Sequence, residues 1–371
     1  MKKSILIFMC VLLVMALLVL PAQASETRIS ELDQTVFFHG NAVFILKNDN
    51  SLWAWGDNST GDIGNGKGFE SYYDFNSTKW IKPFVDDPYK VLDNVWQFDG
   101  SGTWAIKNDH SLWVWGHTAV ELGIVSDPLT AIPQKFMDDV ISFSVSQNPQ
   151  QGLIAYAVKS DGTLLSWGKN TFGELGNGNR EEITSPTELL HGVQYVQYAY
   201  RRWREGNADP TLPNPGCTFA IKADNSLWVW GYIGEDNNSM GISGTNNSRG
   251  LIERPIKILD DVKRICNMHG TVAVITNDEN LYVWGEIPAY IEGACSYSIN
   301  RTSNFGTSSS NFYYLATPYL LASNVKSVDV AIHKLCYVTT NGDAYCWGWN
   351  GDAYDIPTKV MSNVAELATD T

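Results

Sequence analysis

The sequence predicts an all-β fold, a β-propeller, and two repeated patterns carry that prediction. The first is a string resembling SLWVWG, which occurs six times. The second is a proline followed by an apolar segment, and one copy follows each string. A period of roughly 50 to 65 residues with strand-like patterning is typical of radially packed β-sheets. The six strings begin at Ser51, Ser111, Thr163, Ser226, Asn280 and Asp343.

Each string is predicted to form the second half of a β-hairpin. An apolar run and a turn precede it, as in VFILKNDN from Val43 and FAIKADN from Phe219. Alternating apolar residues on both sides of an Asp, Asn or Gly pair are the usual hairpin signal. The acidic or amide residues at these turns are predicted to bond to their own backbone rather than to bind ligands. They are Asp49, Asp109, Asp161, Asp224, Asp278 and Asn341.

The proline pattern predicts two further short strands in each unit. Proline cannot donate a hydrogen bond to a ladder, so it belongs at an edge or at the first residue of a strand. Units of four strands make propeller blades. The prolines are Pro88, Pro133, Pro186, Pro255, Pro318 and Pro357.

A Trp-Gly pair closes each string and is predicted to have a structural role. Large aromatic residues at one repeated strand position fill the space between neighbouring blades. The pairs are Trp55 and Gly56, Trp115 and Gly116, Trp167 and Gly168, Trp230 and Gly231, Trp284 and Gly285, and Trp347 and Gly348.

Together, the hairpin, a glycine-rich loop such as DNSTGDIGNG from Asp57, and the proline pattern resemble the regulator of chromosome condensation repeat family. The resemblance extends from about residue 30 to the end. It implies a β-propeller, usually of seven blades, in a family of nucleotide exchange factors for small GTPases, chromatin binders and protein-recognition modules. The chain shows six copies, so the sequence leaves open whether the propeller has six or seven four-stranded blades.

The N-terminus has the three parts of a signal peptide. Lys2 and Lys3 precede an apolar stretch from Ile5 to Leu20, and Ala24 precedes Ser25. We expect cleavage between Ala24 and Ser25, with residues 1–24 as signal peptide and 25–371 as a single propeller domain. No later stretch is apolar enough for a spanning helix, so we expect a secreted or cell-surface protein without a membrane span.

Composition and motif spacing argue against several functions. The chain carries 26 basic and 40 acidic residues, a net charge of −14, which disfavours nucleic acid as a partner. We find no CxxC pair, HExxH motif or GxSxG elbow, so we predict no metal, no cofactor and no catalytic residue. The expected function is therefore non-enzymatic.

Five cysteines remain after the predicted cleavage. Because five is odd, at least one thiol is free or paired between chains. Cys336 and Cys346 flank a turn and could meet across a hairpin, but the sequence favours two separate packing residues. The five are Cys217, Cys266, Cys295, Cys336 and Cys346.

Protein–protein recognition through one face and its inserted loops is the leading functional hypothesis. Long inserts occur around 200–216, 234–250 and 293–313. The first begins with Tyr200 and concentrates Arg201, Arg202, Trp203 and Arg204, which are residue types enriched in interfaces.

Export points to an extracellular or cell-envelope protein as partner. The tryptophan content leaves a cell-wall glycan as the alternative partner. Guanine nucleotide exchange rests on family analogy alone, and export disfavours it.

Overall fold

Antiparallel β-sheet makes up nearly all of the described chain. A computed structural model describes residues 35–39, 42–67, 72–74, 79–81, 83–98, 103–126, 132–146, 152–200, 216–233, 250–268, 270–287, 297–302, 309–331, 334–348, 356–365 and 367. The predicted signal peptide lies outside these residues. In the described ranges no helix is long and apolar enough to cross a bilayer.

Six sheets follow one another along the described chain, as predicted for a propeller. Sheet 1 contains β1 (Thr35–His39), β2 (Ala42–Leu46), β3 (Leu52–Asp57) and β6 (Phe84–Leu92). Sheet 2 contains β7 (Val95–Gln97), β8 (Trp104–Lys107), β9 (Leu112–Val114) and β10 (Gln134–Met137). Sheet 3 contains β11 (Val140–Ser146), β12 (Ile154–Lys159), β13 (Leu164–Gly168) and β14 (Ile183–Leu190).

The second half of the chain continues the same order. Sheet 4 contains β15 (Val193–Tyr200), β16 (Gly216–Lys222), β17 (Leu227–Tyr232) and β18 (Leu251–Leu259). Sheet 5 contains β19 (Val262–Met268), β20 (Thr271–Thr276), β21 (Leu281–Ile287) and β23 (Ser309–Ala322), with β22 (Tyr297–Thr302) added beyond β23. Sheet 6 contains β24 (Val325–Ala331), β25 (Lys334–Thr339), β26 (Ala344–Gly348) and β27 (Thr358–Met361).

Two small elements complete the described structure. A separate hairpin consists of β4 (Tyr72–Asp74) and β5 (Lys79–Ile81), and the helix α1 covers Gly116–Glu121. The four main strands of each sheet are hydrogen-bonded in chain order, and we number them first to fourth.

The sheets are offset by one strand from the sequence repeats. The proline pattern was predicted to give two strands per unit, and the structure contains both. They belong to different sheets, because the fourth strand β6 ends at Leu92 and the first strand β7 of the next sheet begins at Val95. Each repeat therefore overlaps two sheets. In sheets 1 and 3 the fourth strand lies at a sheet edge, so Pro88 of β6 and Pro186 of β14 can lack an N–H without depriving a further strand of a ladder bond.

In five of the six hairpin turns, the predicted acidic or amide residue accepts a hydrogen bond from the backbone two residues further on. At the turn of Asp278, the backbone N–H of Asn280 donates to Thr276 Oγ1 instead (3.2 Å). Asp49 accepts a hydrogen bond at Oδ1 from the Ser51 backbone N–H (3.0 Å), and Asp224 accepts one from Ser226 (3.0 Å). These acidic and amide residues do not themselves have positive φ. The following residue takes the left-handed conformation instead, as at Asn50 with φ of 61°.

Backbone hydrogen bonds join neighbouring sheets at the end that carries these hairpin turns. The valine that begins each first strand donates to the hairpin-turn carbonyl of the preceding sheet. Val95 donates to Asn50 (2.8 Å) and Val262 donates to Asn225 (2.7 Å). A second bond returns at each junction, as from Asn108 to the carbonyl of Asn94 (2.8 Å). The turns thus connect each sheet to the next one.

At the opposite end, glycine-rich loops cover the tryptophans of the following sheet. The loop of residues 57–66 leaves β3, and its Asp62 carbonyl accepts a hydrogen bond from Trp115 Nε1 of sheet 2 (2.7 Å). A Cβ at Gly64 would lie 2.8 Å from the Trp115 ring, so only glycine fits there. The loop of residues 169–178 approaches Trp230 of sheet 4 in the same way, through Gly176.

The Trp-Gly tryptophans are buried in five of the six sheets. Five of the six side chains are at most 3 % exposed, namely Trp115, Trp167, Trp230, Trp284 and Trp347. Trp55 of sheet 1 is only half-buried. Hydrophobic clusters extend from sheet 1 to sheet 6, and each includes residues of adjacent sheets. The core therefore lies between the sheets.

The predicted state of Cys336 and Cys346 is wrong. The sequence favoured two packing residues, but a disulfide joins them. They lie directly opposite each other on β25 and β26, so the hairpin register brings the two sulfur atoms together. Cys217 and Cys266 are buried free thiols, and Cys295 lies outside the described residues.

Helix α1 was not predicted, because its six residues are too few to show a helical period. It follows Trp115, where sheets 1 and 3 have a glycine-rich loop. Ala119 of this helix belongs to the same cluster as Trp167 of sheet 3. The helix therefore covers the next tryptophan as the loops do.

The cover of Trp230 can be tested at Gly176. A Cβ at this position would lie 2.7 Å from Trp230 Cδ1, and φ is +69°. Gly176→Ala combines backbone strain with overpacking, so we expect a loss of about 3 kcal/mol or more in the free energy of unfolding. Gly123→Ala is the control, because φ is +72° but no atom lies within 4 Å of its Cβ. It should cost about 1 kcal/mol. Equal losses of unfolding free energy in the two variants, measured by denaturant unfolding, would contradict a tight contact between the loop and Trp230.

Candidate binding face

All long insertions leave the sheets at one end. Strands alternate in direction, so the connections from first to second strand and from third to fourth strand emerge together. In sheet 4, Tyr200 pairs with Gly216 and Tyr232 pairs with Leu251. We call this end of the sheets the loop end, and the opposite end, with its tight turns, the turn end.

The loop ends of neighbouring sheets lie side by side. The Gly178 backbone N–H donates to the carbonyl of Glu253 (2.8 Å), which connects the loop of sheet 3 to β18 of sheet 4. Arg180 Nε contacts Glu253 Oε1 at 2.8 Å in the same place. The strand ends from which insertions leave adjacent sheets therefore lie on one common face.

Three insertions are concentrated on sheets 4 and 5. The chain leaves sheet 4 after Tyr200 and after Ile233, and it returns at Gly216 and Gly250. In sheet 5, β23 continues past its pairing with β21 and forms a hairpin with β22, from Tyr297–Tyr314 to Thr302–Ser309. Sheet 5 is thereby widened at its loop end.

The four predicted contact residues belong to the first of these insertions. Arg201, Arg202, Trp203 and Arg204 lie outside the described residues. Their segment follows Tyr200, the last residue of β15, which places its start at the loop end of sheet 4.

A buried polar cluster lies between sheets 3 and 4 beneath the loop end. Glu174 is 1 % exposed, and its Oε2 accepts a hydrogen bond from the Phe172 backbone N–H (2.7 Å). Its carbonyl accepts a hydrogen bond from the Tyr156 hydroxyl, which in turn accepts one from Thr218 Oγ1 (2.8 Å). Burial raises the pKa of Glu174 to about 7. Burial also raises the pKa of the Tyr156 hydroxyl.

The sequence reasoning did not identify Glu174. Its position in GELG matches Asp62 in GDIG, so an acidic residue recurs in the loop motif next to buried apolar residues. That recurrence was the available signal. The same comparison explains the two loop asparagines, because Asn58 Oδ1 and Asn170 Oδ1 accept from the backbones of Ile63 (3.0 Å) and Leu175 (2.9 Å).

Comparison with known proteins agrees with this architecture. The model of the regulator of chromosome condensation (RCC1) repeat matches residues 161–198. The ultraviolet-B receptor UVR8 of Arabidopsis thaliana is 25% identical over 256 residues, which cover 66% of this chain and 50% of the receptor. The human E3 ubiquitin-protein ligase HERC2 is 26% identical over 211 residues, 54% of this chain and 4% of the ligase.

A solved structure shows the same fold. Yeast RCC1 (Prp20), in its crystal structure with Kap60, superposes with a TM-score of 0.60 at 18% identity, over 90% of this chain and 76% of that chain. The repeat match, the curated relatives and this structure together support the RCC1 repeat family for this chain. The chain spans about half or less of the length of the curated relatives it matches.

Half-buried tryptophans of the RCC1 repeats are not free aromatic platforms. Trp53, Trp113 and Trp228 precede the Trp-Gly tryptophans by two residues, and each donates its indole N–H to a serine hydroxyl at 2.8 Å. A lysine ammonium also lies over each ring, at 4.8 Å for Lys107 over Trp113. Sugar stacking would have to displace these lysines.

Candidate metal ligands do not cluster in the part of the chain that the structure describes. Within those ranges no group of three or more His, Cys, Asp or Glu side chains converges as a metal site. The side-chain oxygens of Asp62 and Asn65 accept hydrogen bonds from Thr60 and Asn58 of the same loop.

The burial of Glu174 predicts a pH-dependent stability. A raised pKa means that the folded state favours the protonated carboxyl, so stability present below about pH 4.5 is lost as the pH rises toward 7. Glu174→Gln keeps an acceptor for the Phe172 N–H and cannot ionise. We expect it to stabilise the protein by roughly 2–3 kcal/mol at pH 8 and to have little effect at pH 4.5. Chemical unfolding at both pH values measures this.

The matched control for that measurement is Glu188→Gln, at an exposed position of β14. It should leave the pH profile of the unfolding free energy unchanged. A Glu174→Gln profile parallel to the wild-type profile would show that the buried carboxyl does not titrate in this range.

Proposed function

We propose that the chain is a non-enzymatic protein-binding module that recognises its partner through the loop end of sheets 4 and 5. One observation carries the proposal: three long insertions leave two adjacent, well-packed sheets on the same face. Insertions on a rigid scaffold commonly carry recognition, because the scaffold fixes their ends at low conformational cost.

The first insertion is the proposed centre of contact. Arg201, Arg202, Trp203 and Arg204 bring three cations and one large aromatic ring to a chain whose net charge is −14. Arginine and tryptophan are enriched among the residues that dominate binding energy. A partner with an acidic patch next to an apolar pocket fits this chemistry.

Export is part of the proposal. Residues 1–24 have the organisation of a signal peptide, so we propose an extracellular or cell-envelope partner. Nucleotide exchange on a cytosolic GTPase is disfavoured for the same reason. A cell-wall glycan is the second candidate, but it loses support because Trp53, Trp113 and Trp228 are covered by lysines.

A capture experiment tests the proposal. The chain from Ser25 is immobilised and exposed to envelope and medium fractions of the source cells, and retained proteins are identified. Replacing Arg201, Arg202, Trp203 and Arg204 with Ala should abolish capture of the specific partner, since interface anchors of this type contribute about 2 kcal/mol or more each.

The control variant removes three cations at the turn end, by changing Lys90, Lys135 and Lys257 to Ala. These lysines pair only with nearby exposed aspartates. Capture should survive in this variant. Equal loss in both variants would indicate general electrostatic attraction, and sedimentation with purified cell wall without any captured protein would favour the glycan.

A further inference from the structure

The loop of residues 169–178, which we call the sheet 3 loop, packs on strand ends of sheet 4 from which insertions leave. A Cβ at Gly173 would lie 3.2 Å from the Cα of Glu253, near the start of β18. The Gly178 N–H donates to the Glu253 carbonyl (2.8 Å). Phe172 contacts Tyr232 at the end of β17, with ring centres 5.5 Å apart. The sheet 3 loop therefore holds both strand ends that flank the second insertion of sheet 4.

Glu174, at the centre of the sheet 3 loop, lies against the other two strands of sheet 4. A Cβ at Gly231 of β17 would lie 3.6 Å from the Glu174 Cα and 3.0 Å from the Cα of Cys217, near the start of β16. Burial, and then the charge of Glu174, raise the pKa of the Tyr198 hydroxyl of β15. Glu174 is thus close to both strands that flank the first insertion.

No cation accompanies the Glu174 carboxyl in the described part of the chain. The residue is 1 % exposed, and its Oε2 accepts a hydrogen bond from the Phe172 N–H (2.7 Å). Burial, opposed by backbone hydrogen bonds, sets its pKa, and no neighbouring charge contributes. The Arg254 guanidinium of β18 lies against Gly178, at the far end of the loop. The other charged side chains around the loop are exposed and form ion pairs with one another, namely Lys169 with Glu182 and Arg180 with Glu253.

The equivalent acid in the loop of sheet 1 has a different environment. Asp62 lies near His117 of α1, because the pKa of His117 is raised by its hydrogen bond to Glu121 and also by the charge of Asp62. A histidine can therefore supply positive charge beside Asp62. Glu174 has no such neighbour among the described residues.

The sheet 3 loop also has one hydrogen bond fewer to the next sheet. In sheet 1 the Asp62 carbonyl accepts a hydrogen bond from Trp115 Nε1 of sheet 2 (2.7 Å). The Glu174 carbonyl accepts its hydrogen bond from Tyr156 of the same sheet instead. Trp230 Nε1 is buried, and the described residues offer it no hydrogen-bond partner. Local opening of the sheet 3 loop is therefore less costly than opening of the sheet 1 loop.

We propose that Glu174 is a pH-sensitive switch that sets how firmly the sheet 3 loop holds sheet 4. The protonated carboxyl is tolerated in its buried position, so the loop stays closed over Trp230. The carboxylate has no cation to compensate its lost hydration, so ionisation favours an open loop in which water solvates the charge. Burial raises the pKa values of the other titratable groups nearby, Tyr156, Tyr198 and Cys217, which therefore stay neutral at pH 7.

The direction of the effect follows from the two states of the loop. In the closed loop burial raises the pKa of Glu174 to about 7, and in an open loop it returns toward its ordinary value of 4.5. Opening becomes more favourable as the pH rises between these values, so the open-to-closed ratio should increase on the order of 50-fold from pH 5 to pH 8. The consequence for recognition rests on the function proposed above: mildly acidic surroundings hold the insertion-bearing strand ends more firmly.

Hydrogen exchange of the full chain at pH 5 and pH 8 tests the switch without any partner. Protection factors, which correct for the intrinsic effect of pH, are compared at two amides. Gly178 bonds across to sheet 4, and Val193 bonds to Gly162 at the turn end. Gly178 should be at least about 100-fold less protected than Val193, as local opening requires, and its protection should fall on the order of 50-fold from pH 5 to pH 8.

Two variants separate the switch from other effects of pH. Glu174→Gln cannot ionise, so the fall in protection at Gly178 should shrink to less than about twofold. Glu188→Gln removes an exposed carboxyl of β14 and should keep the full fall.

Three results would overturn the proposal. They are unchanged protection of Gly178 between the two pH values in the wild type, a fall that persists in Glu174→Gln, and equal protection of Gly178 and Val193. The last would mean that the loop opens only when the whole protein unfolds. Since no partner is needed, a failure to capture any protein would contradict the proposed function without affecting this result.

Discussion

The contact between each sheet and the next one along the chain is the interaction on which this structure depends. A four-stranded sheet with apolar residues on both faces cannot shield them alone, and here neighbouring sheets are joined at the turn end and, where the structure describes it, also at the loop end. At the turn end, backbone hydrogen bonds join crossover valines to turn carbonyls, as between Val193 and Gly162. At the loop end of sheets 1 to 3, a loop or a short helix covers the tryptophan of the following sheet, as the loop that contains Gly176 covers Trp230.

These two kinds of contact explain why the turn end and the loop end differ in sequence. The turn end carries residues such as Asn94 and Asp261, whose left-handed conformation is needed at every junction. The connections between strands at the turn end therefore hardly vary in length. The loop end needs only one covering element per tryptophan, so additional residues can be inserted without disturbing the core. Sheets 4 and 5 carry such insertions, and recognition is proposed there because the surrounding junctions hold the strand ends in place.

Much of the fold could be predicted because each signal is local and repeated. Hairpins, edge prolines and buried tryptophans each have a direct physical signature, and six copies remove accidental matches. The Cys336–Cys346 disulfide was missed because spacing across a turn does not reveal the strand register that places the two residues opposite each other. The buried Glu174 was missed because its burial comes from a neighbouring sheet that is distant in sequence. Partner contacts are harder still, since the residue types at Arg201–Arg204 indicate chemistry but not geometry.

The dependence of each sheet on its neighbours is tested most directly by native-state hydrogen exchange at six valine amides. Five of these valines begin a first strand, and the sixth, Val364, makes the equivalent hydrogen bond to a turn carbonyl. Central junctions have sheets on both sides, so we expect the slowest exchange at Val193 and Val262, and the fastest at Val364, beyond which no described sheet follows. Equal protection at Val364 and Val193 would contradict this view, because it would mean that the sheets open only in one global unfolding event. The six amides are those of Val95, Val140, Val193, Val262, Val325 and Val364.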